Sequence, residues 1–525
     1  MKVDILIKNG LVVDGSGTPG KIADIGIKDD KIMIADEYSD WFEIIDASGL
    51  VVAPGFIDIH THSDLTLLVD SRGASKISQG VTSEIIGNCG LSTTPCSPEY
   101  KNEIKDSCSF LYANTVNWTW NSYSDYLNVF KEQGISLNVG FYIGHGTLRA
   151  TVMGYDNRKP TSEELDQMKA YIVEGMTQGA LGLSTGLIYP PGCYADTEEI
   201  VALCKVVADY NGVYSTHMRD EADGLMDSIE ESLEIARRAN VSLQISHLKA
   251  VGKQNWGKVK DAVKRIDEAR KENIDVHYDF YPYSASSTYL SSLLPSWVLD
   301  GGWEQAAKRI TDVTTRAKIS SEIMQDFNEV MIATVNTEEN RRFEGKTISE
   351  MSSVLEKEEK EVFFDLLIEE EGAVSMVKFS MNEEDVISAA SGKHAMVGSD
   401  GFAIATDGPL ATGKPHPRSY GSFPRVFSKY QRELQVLTIE EAVNKMSGAP
   451  ANKLGLKDRG YIKQGFIADI VIFDPLEIRD MATFLDPHQY SKGVQTVFLS
   501  GKKAYENGTF LDPKSGVLLR PNWKN

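Results

Sequence analysis

Very little sulfur is available for cross-linking. Five cysteines in 525 residues (89, 96, 108, 193 and 204) show no paired framework, so a special cysteine here points to a ligand rather than a disulfide. No uninterrupted apolar run is long enough to span a bilayer. Met1-Lys2-Val3-Asp4-Ile5 does not read as a signal peptide, because an aspartate breaks the apolar run almost at once. These absences point to a reducing cytoplasm. Positive charge is in deficit: 54 Lys and Arg stand against 75 Asp and Glu, a net charge of −21. That disfavours nucleic acid or an anionic membrane as partner. It leaves a small substrate open, since local charge in a cleft can oppose the global sign. There is no low-complexity tract. With 42% apolar and 25% charged residues the composition is that of a globular chain, and the length calls for a large domain with additions.

What is present centres on Val51-Val52-Ala53-Pro54-Gly55-Phe56-Ile57-Asp58-Ile59-His60-Thr61-His62. An apolar, β-branched run ends in two histidines two positions apart. Alternate residues of a strand share a face, so His60 and His62 project together, and two imidazoles on one face can grip one ion. Taken alone, the pair reads equally well as two polar residues ending a strand.

Residues 1–54 read as short strands joined by Asn9-Gly10 and Asp29-Asp30 turns, which are hairpin signals. The tail, 450–525, answers with strands of its own, and head and tail are expected to form one small β-sandwich. Between them, over 55–449, strands alternate with helical stretches such as 162–175 and 225–239. Eight strands are expected, at 56–60, 81–89, 137–143, 181–185, 213–217, 243–247, 274–280 and 395–400. Eight βα units imply an α/β fold of the TIM-barrel type, whose chemistry sits at the C-terminal strand ends. The interval before the eighth strand is too long for one helix, and an insertion is expected near 285–345, beside the barrel mouth.

Collecting the strand ends gives His60 and His62 from the first, Cys89 from the second, His217 from the fifth, His247 from the sixth and Asp400 from the eighth. Each alone has an ordinary structural reading, but six ligand types in register at the mouth of a barrel form a constellation. Thiolate and imidazole suit Zn²⁺, which lowers the pKa of a bound water toward ~7 and polarises carbonyls. A carboxylate beside that water can take its proton and later deliver it to a leaving amine; Asp400 is the candidate.

These motifs resemble the amidohydrolase superfamily, in Pro-Gly-Phe-Ile-Asp-Ile-His-Thr-His at 54–62 and the strand-end residues that follow. The match is closer to its D-aminoacylases, the N-acyl-D-amino-acid deacylases. It rests on Gly87-Asn88-Cys89-Gly90, Ser215-Thr216-His217-Met218-Arg219, Ile245-Ser246-His247-Leu248-Lys249, Tyr281-Pro282-Tyr283, Gly398-Ser399-Asp400-Gly401 and His416-Pro417-Arg418-Ser419-Tyr420-Gly421. The resemblance implies an amidohydrolase-type barrel and a tight zinc held by Cys89, His217 and His247. It further implies a second, weaker position lined by His60, His62 and Asp400, with Asp400 as general base and acid. The small-molecule substrate it implies is an N-acyl-D-amino acid. The fourth strand ends in Leu183-Ser184-Thr185, without the lysine that cyclic-amide hydrolases carry there. The other readings are a dipeptidase or cyclic-amide hydrolase of the same superfamily, or a barrel that has lost catalysis and serves as a scaffold.

Substrate contacts are read from position. Lys249 is either a cation for a carboxylate or a solvated surface lysine. Arg418 offers a bidentate fork for a carboxylate or braces the loop after the eighth strand. Tyr189 and Tyr283 either donate to a substrate oxygen or pack in the core. His145 either supports the site or is structural. Residues 284–297 carry Leu290, Leu293, Leu294 and Trp297 and no Lys or Arg. An apolar pocket is therefore expected, preferring D-Leu, D-Met or D-Phe to D-Glu and D-Asp, unless Lys253, Lys414 or Arg425 reaches in from another loop.

Overall fold

The computed structural model describes residues 1–108 and 116–521. Its centre is a ring of parallel strands: Phe56–Asp58, Val81–Ile86, Asn138–Phe141 continued by Ile143–Gly144, Gly182–Gly186, Val213–His217, Ser242–Ile245, Val276–Phe280 and Ala395–Val397. Nearly every residue in them is buried, as expected of parallel strands covered on both faces. The ladder is continuous from the end of the third strand to the eighth and from the first to the third. The ring closes outside the regular ladder: the Asp400 N–H donates to His60 O at 2.8 Å and the His62 N–H to Gly401 O at 3.0 Å. Eighth and first strands are thus stitched by the residues expected to carry the chemistry.

Helices pack around this ring where the sequence places them. Ser162–Thr177 opens on a capping box, Thr161 with Glu164. Leu225–Ala239 ends at Asn240, whose left-handed backbone stops the helix.

Several strands end earlier than expected. The first, second, sixth and eighth stop at Asp58, Ile86, Ile245 and Val397, so His60, Cys89, His247 and Asp400 lie in the loops just beyond. For the second, sixth and eighth the cause is backbone conformation: Cys89, His247 and Asp400 have φ of 53°, 35° and 51°, which a strand cannot accommodate.

The third strand is interrupted at Tyr142, and its first half is not laddered to the fourth strand. That open edge is taken by the C-terminal segment. The Val139 N–H donates to Val517 O at 2.9 Å and the Leu519 N–H to Val139 O at 2.8 Å. The expected assignment of all of 450–525 to the β domain therefore fails at 517–519, because free backbone groups on a barrel edge need partners; residues 522–525 lie outside the described residues.

Head and tail otherwise share one nine-stranded sheet. Val51–Pro54 pairs with Ile470–Phe473 and, on its other side, with Ile5–Val12. The sheet curls so that Lys31 bridges Ile467, enclosing Ile7, Ile27, Ile32, Ile470, Ile472 and Phe498. Both termini thus build the expected small β domain, on one nine-stranded sheet.

The insertion is longer than expected. Its three-stranded sheet orders Ser286–Tyr289, Ser375–Lys378 and Val330–Thr334, and the last strand in sequence is the middle one. A boundary at 345 would remove that strand, so the unit runs over 286–378. It has its own core, including Leu290, Val298, Ile310, Phe363 and Leu367.

Candidate metal centre

The loops that carry the ligands are held in conformations that only a crowded surrounding maintains. Left-handed backbone at three non-glycine residues is costly and clusters at functional sites. Next to Cys89, Gly87 has φ of 74°, and a Cβ there would lie 2.3 Å from Tyr142 O. No other residue fits that close approach, so the turn aims Cys89 into the barrel axis. His217 instead ends its strand in regular conformation.

The side chains converge. Cys89 Sγ lies 3.3 Å from His60 Nε2 and 3.4 Å from His247 Nε2. Asp400 Oδ1 lies 3.4 Å from His60 Nε2 and 3.0 Å from His62 Nε2. One donor atom each from His60, Cys89, His247 and Asp400 lie within 4.8 Å of one another, and the same holds for His217, Glu221 and His247. All six expected ligands are buried, from 0% exposure at His60 to 6% at His62 and Asp400.

Two observations show that this set fits a metal ion. Buried nitrogens are left without a well-formed hydrogen bond: both ring nitrogens of His217 and Nδ1 of His62. His217 Nε2 is 3.2 Å from Glu221 Oε2 but poorly aligned with it. Orphaned buried polar atoms are rare and call for a partner. The second observation is charge. Burial opposes ionisation of Cys89, yet His60 and His247 hold its thiol well below the usual range. Burial likewise opposes the Asp400 carboxylate, and Arg418, His247 and His60 outweigh it, holding that group well below the usual carboxylate range. Burial disfavours the His217 cation, but Glu221 lifts it to about 9. Thiolate and carboxylates are thus balanced here by protons on imidazole. A divalent cation supplies the same balance with the imidazoles neutral, the form in which they are ligands.

Residues behind the ligands set their orientation. Asp279, from the seventh strand, accepts from His60 Nδ1 at 3.1 Å and from the His247 backbone N–H at 2.8 Å. Its other oxygen accepts from Gln244 Nε2 at 2.9 Å. A carboxylate can only accept, so His60 carries its proton on Nδ1 and turns Nε2 to Cys89 and Asp400. Glu221 gathers His247 Nδ1 at 3.0 Å and Lys249 Nζ at 2.6 Å. Beneath them the Lys76 ammonium joins Asp58 Oδ2 and Ser399 Oγ, each at 2.7 Å. None of Asp279, Glu221 and Lys76 stands out in the sequence reading. A single carboxylate inside the buried run Val276–Phe280, and a glutamate four residues after His217, were the available signals.

The cleft above the ligands is lined by Lys249, Arg418 and Tyr189 among the expected contacts. Both cations are engaged. The Lys249 ammonium is buried on Glu221 and His247 Nδ1 rather than solvated. Arg418 Nη1 is 2.7 Å from Asp400 Oδ2, and its Nη2 donates to Ser287 O at 3.0 Å. The Tyr189 hydroxyl meets Thr288 Oγ1 at 3.0 Å. Two expected contacts are corrected. Tyr283 is not part of the cleft lining; it packs on His416 and under the Arg425 guanidinium. His145 is buried behind the cleft, with Nε2 2.8 Å from Glu199 Oε1. Ring contacts hold Tyr283 away from the opening, and Glu199 holds His145.

The expected contribution of residues 284–297 is corrected as well. Of Leu290, Leu293, Leu294 and Trp297 only Leu293 lines the cleft. Leu290 and Leu294 are core residues of the insertion, and the Trp297 indole donates to Glu322 at 2.8 Å. Besides Leu293, the insertion contributes Ser286, Ser287, Thr288, Ser292, Ala333, Thr334, Ser375, Met376 and Lys378.

A thiolate, imidazoles and a carboxylate gathered at the C-terminal mouth of a βα barrel define a metal-dependent hydrolase. The chain belongs to the amidohydrolase family, in the branch of the D-aminoacylases: residues 43–505 match the model of the Amidohydrolase family. A D-aminoacylase of Alcaligenes xylosoxydans xylosoxydans is 34% identical over 521 residues, 98% of this chain and 97% of that one. An N-acyl-D-glutamate deacylase of the same organism is 32% identical over 507 residues, 95% of this chain and 93% of that one. Among solved structures, the N-acyl-D-glutamate deacylase of Bordetella bronchiseptica, complexed with zinc and a phosphonate mimic of the tetrahedral intermediate, superposes with a TM-score of 0.85. It is 30% identical, and the match covers 99% of this chain and 100% of that one. Among the described residues no helix is long and apolar enough to cross a membrane.

Proposed function

We propose that the protein is a zinc-dependent deacylase that hydrolyses the amide of N-acyl-D-amino acids to a free D-amino acid and a carboxylate. The observation that carries this reading is the buried cluster of Cys89, His60, His247 and Asp400 at the floor of an open cleft. Thiolate with imidazole favours zinc over harder cations, and zinc accompanies the solved deacylase. Cys89, His217 and His247 hold the tighter ion. His60, His62 and Asp400 surround a second, weaker position, and Cys89 Sγ stands between the two sets. Bound there, zinc polarises the amide carbonyl and lowers the pKa of a water toward ~7.

The chain's own groups do the rest. Asp400 is kept ionised by Arg418, His247 and His60 despite its burial, so it is ready to accept a proton from the attacking water. It then delivers that proton to the departing amine nitrogen, as general base and general acid in turn. Arg418 and Lys249 are the cations for the α-carboxylate, exchanging part of their present pairing with Asp400 and Glu221 for the substrate. Tyr189 presents its hydroxyl at the same wall. The end of the fourth strand carries Thr185 and Gly186, with no lysine for the cyclic-amide chemistry.

A panel of N-acetyl-D- and N-acetyl-L-amino acids, run with zinc-loaded protein and after removal of the metal by chelation, tests this. Turnover confined to D-substrates and lost with the metal is expected. Turnover of L-substrates at equal rate, or of cyclic amides alone, would overturn it.

A further inference from the structure

From the geometry of the insertion we infer that Lys378 is a specificity-determining cation, which receives a second substrate carboxylate beyond the α-carboxylate. The inference rests on the deacylase reading and narrows it to dicarboxylic substrates.

Lys378 ends the middle strand of the insertion sheet, opposite Ser286. Both strands line the cleft, with Ser286, Ser287 and Thr288 from one and Ser375, Met376 and Lys378 from the other. The lysine therefore stands on the insertion's wall of the cleft, across from Ser286, with Ser287, Thr288 and Ser375 on the same wall.

The charges of that lining are unequal. Lys249 is paired with Glu221 at 2.6 Å and Arg418 with Asp400 at 2.7 Å. Among the described residues the Lys378 ammonium makes no ion pair and no hydrogen bond. Glu329 is the acid that acts on it, but that carboxylate is 3.4 Å from Lys253. Burial pushes the Lys378 ammonium below its ordinary pKa, the mark of a cation short of counter-charge.

A chain with a net charge of −21 repels a dianion, so a dicarboxylic substrate needs a local cation to bind. Lys378 is that cation. The ligand chemistry is one carboxylate on a flexible arm. It can belong to the D-residue, as in N-acetyl-D-Glu and N-acetyl-D-Asp, or to the acyl group, as in N-succinyl-D-Leu. Lys253, Lys414 and Arg425, the alternatives from other loops, are all outside the lining; Lys253 is 70% exposed and Arg425 is paired with Asp480.

The test measures kcat/KM of the zinc-loaded enzyme for N-acetyl-D-Glu against its uncharged isostere N-acetyl-D-Gln, and for N-succinyl-D-Leu against N-butyryl-D-Leu. It does so in the wild type, Lys378→Met and Lys378→Arg. A charged hydrogen bond to a fixed lysine corresponds to a preference on the order of 10- to 100-fold for the charged member of one pair. Lys378→Met should abolish that preference and Lys378→Arg should restore most of it. Because each ratio is taken within one variant, partial damage to the fold cancels. The pair that shows the effect identifies the source of the carboxylate. Equal ratios in the wild type and Lys378→Met for both pairs overturn the assignment while leaving a deacylase. A wild type that hydrolyses none of the four compounds, nor N-acetyl-D-Met, refutes the deacylase reading and this assignment with it.

Discussion

Asp279→Asn isolates what the residues behind the ligands contribute. Asp279 receives three buried donors: His60 Nδ1, the His247 backbone N–H and Gln244 Nε2. Alanine would leave all three unpaired at about 1–3 kcal/mol each, a total comparable to the whole stability of a domain, so Asp279→Ala would report on folding alone. Asparagine keeps the shape. Its oxygen can still accept from His60 and His247, while its NH₂ meets the Gln244 amide, which must flip to turn its oxygen inward. What is lost is the negative charge that raises the basicity of His60 and fixes its proton on Nδ1. Such outer partners of a metal-ligating histidine are worth roughly 10–100-fold in affinity, or about 1.4–2.7 kcal/mol. Asp279→Asn should therefore fold with a melting temperature near that of the wild type when both are metal-free, and bind zinc one to two orders of magnitude more weakly in competition with a chromophoric chelator. If His60 serves mainly the weaker position, the loss should fall on the second equivalent of zinc and spare the first. Two zinc affinities unchanged from the wild type would refute the role assigned to Asp279.

Three other outcomes are expected. Cys89→Ala should lose the tightly held metal and nearly all turnover, since the thiolate lies against both His60 and His247; a variant that retains zinc after dialysis would show the ligand set to be wrong. Asp400→Asn should keep its fold and its tight zinc but lose a factor on the order of 10² to 10⁴ in turnover, and near-normal turnover would remove the residue from proton transfer. Glu84 is wholly buried beside Lys76 and Asp58, and burial lifts its carboxyl from 4.5 to about 7. Between those values the folded state binds more protons than the unfolded one, so this group's contribution to stability falls as pH rises, by on the order of 3 kcal/mol in all. Glu84→Gln should remove the loss. Its melting temperature should exceed that of the wild type at pH 8 and approach it at pH 4.5, and a constant difference across that range would contradict the assigned ionisation.

The barrel was legible because parallel strands announce themselves locally. Runs such as Val213–His217 and Val276–Phe280 are short, rich in β-branched and aromatic residues and separated by helical spacing, and the structure finds them where the alternation puts them. The six ligand-type residues were legible for a related reason, since histidine and cysteine are conspicuous at the ends of apolar runs. Less visible were the residues whose meaning depends on a partner far along the chain. Asp279 matters through His60, 219 positions away, and nothing near it in sequence says so. The boundary of the insertion was misjudged because strand order in a sheet is not chain order, and the middle strand Ser375–Lys378 comes last.

The pocket shows why composition of one segment is a weak guide to a binding surface. Residues 284–297 hold four large apolar side chains, and an amphipathic segment that caps its own subdomain turns such side chains away from the opening. Leu290 and Leu294 obey that demand by entering the insertion core, which leaves Leu293 with serines and threonine toward the cleft. The wall is then completed by a strand some 80 residues later, which brings in the lysine that the segment itself lacks. Holding the half-buried Lys378 at that wall without an ion-pair partner costs some stability. Stability alone favours an apolar or uncharged residue there, so the position has to be understood through what enters the cleft, and a carboxylate on the incoming molecule is the group that offsets the cost.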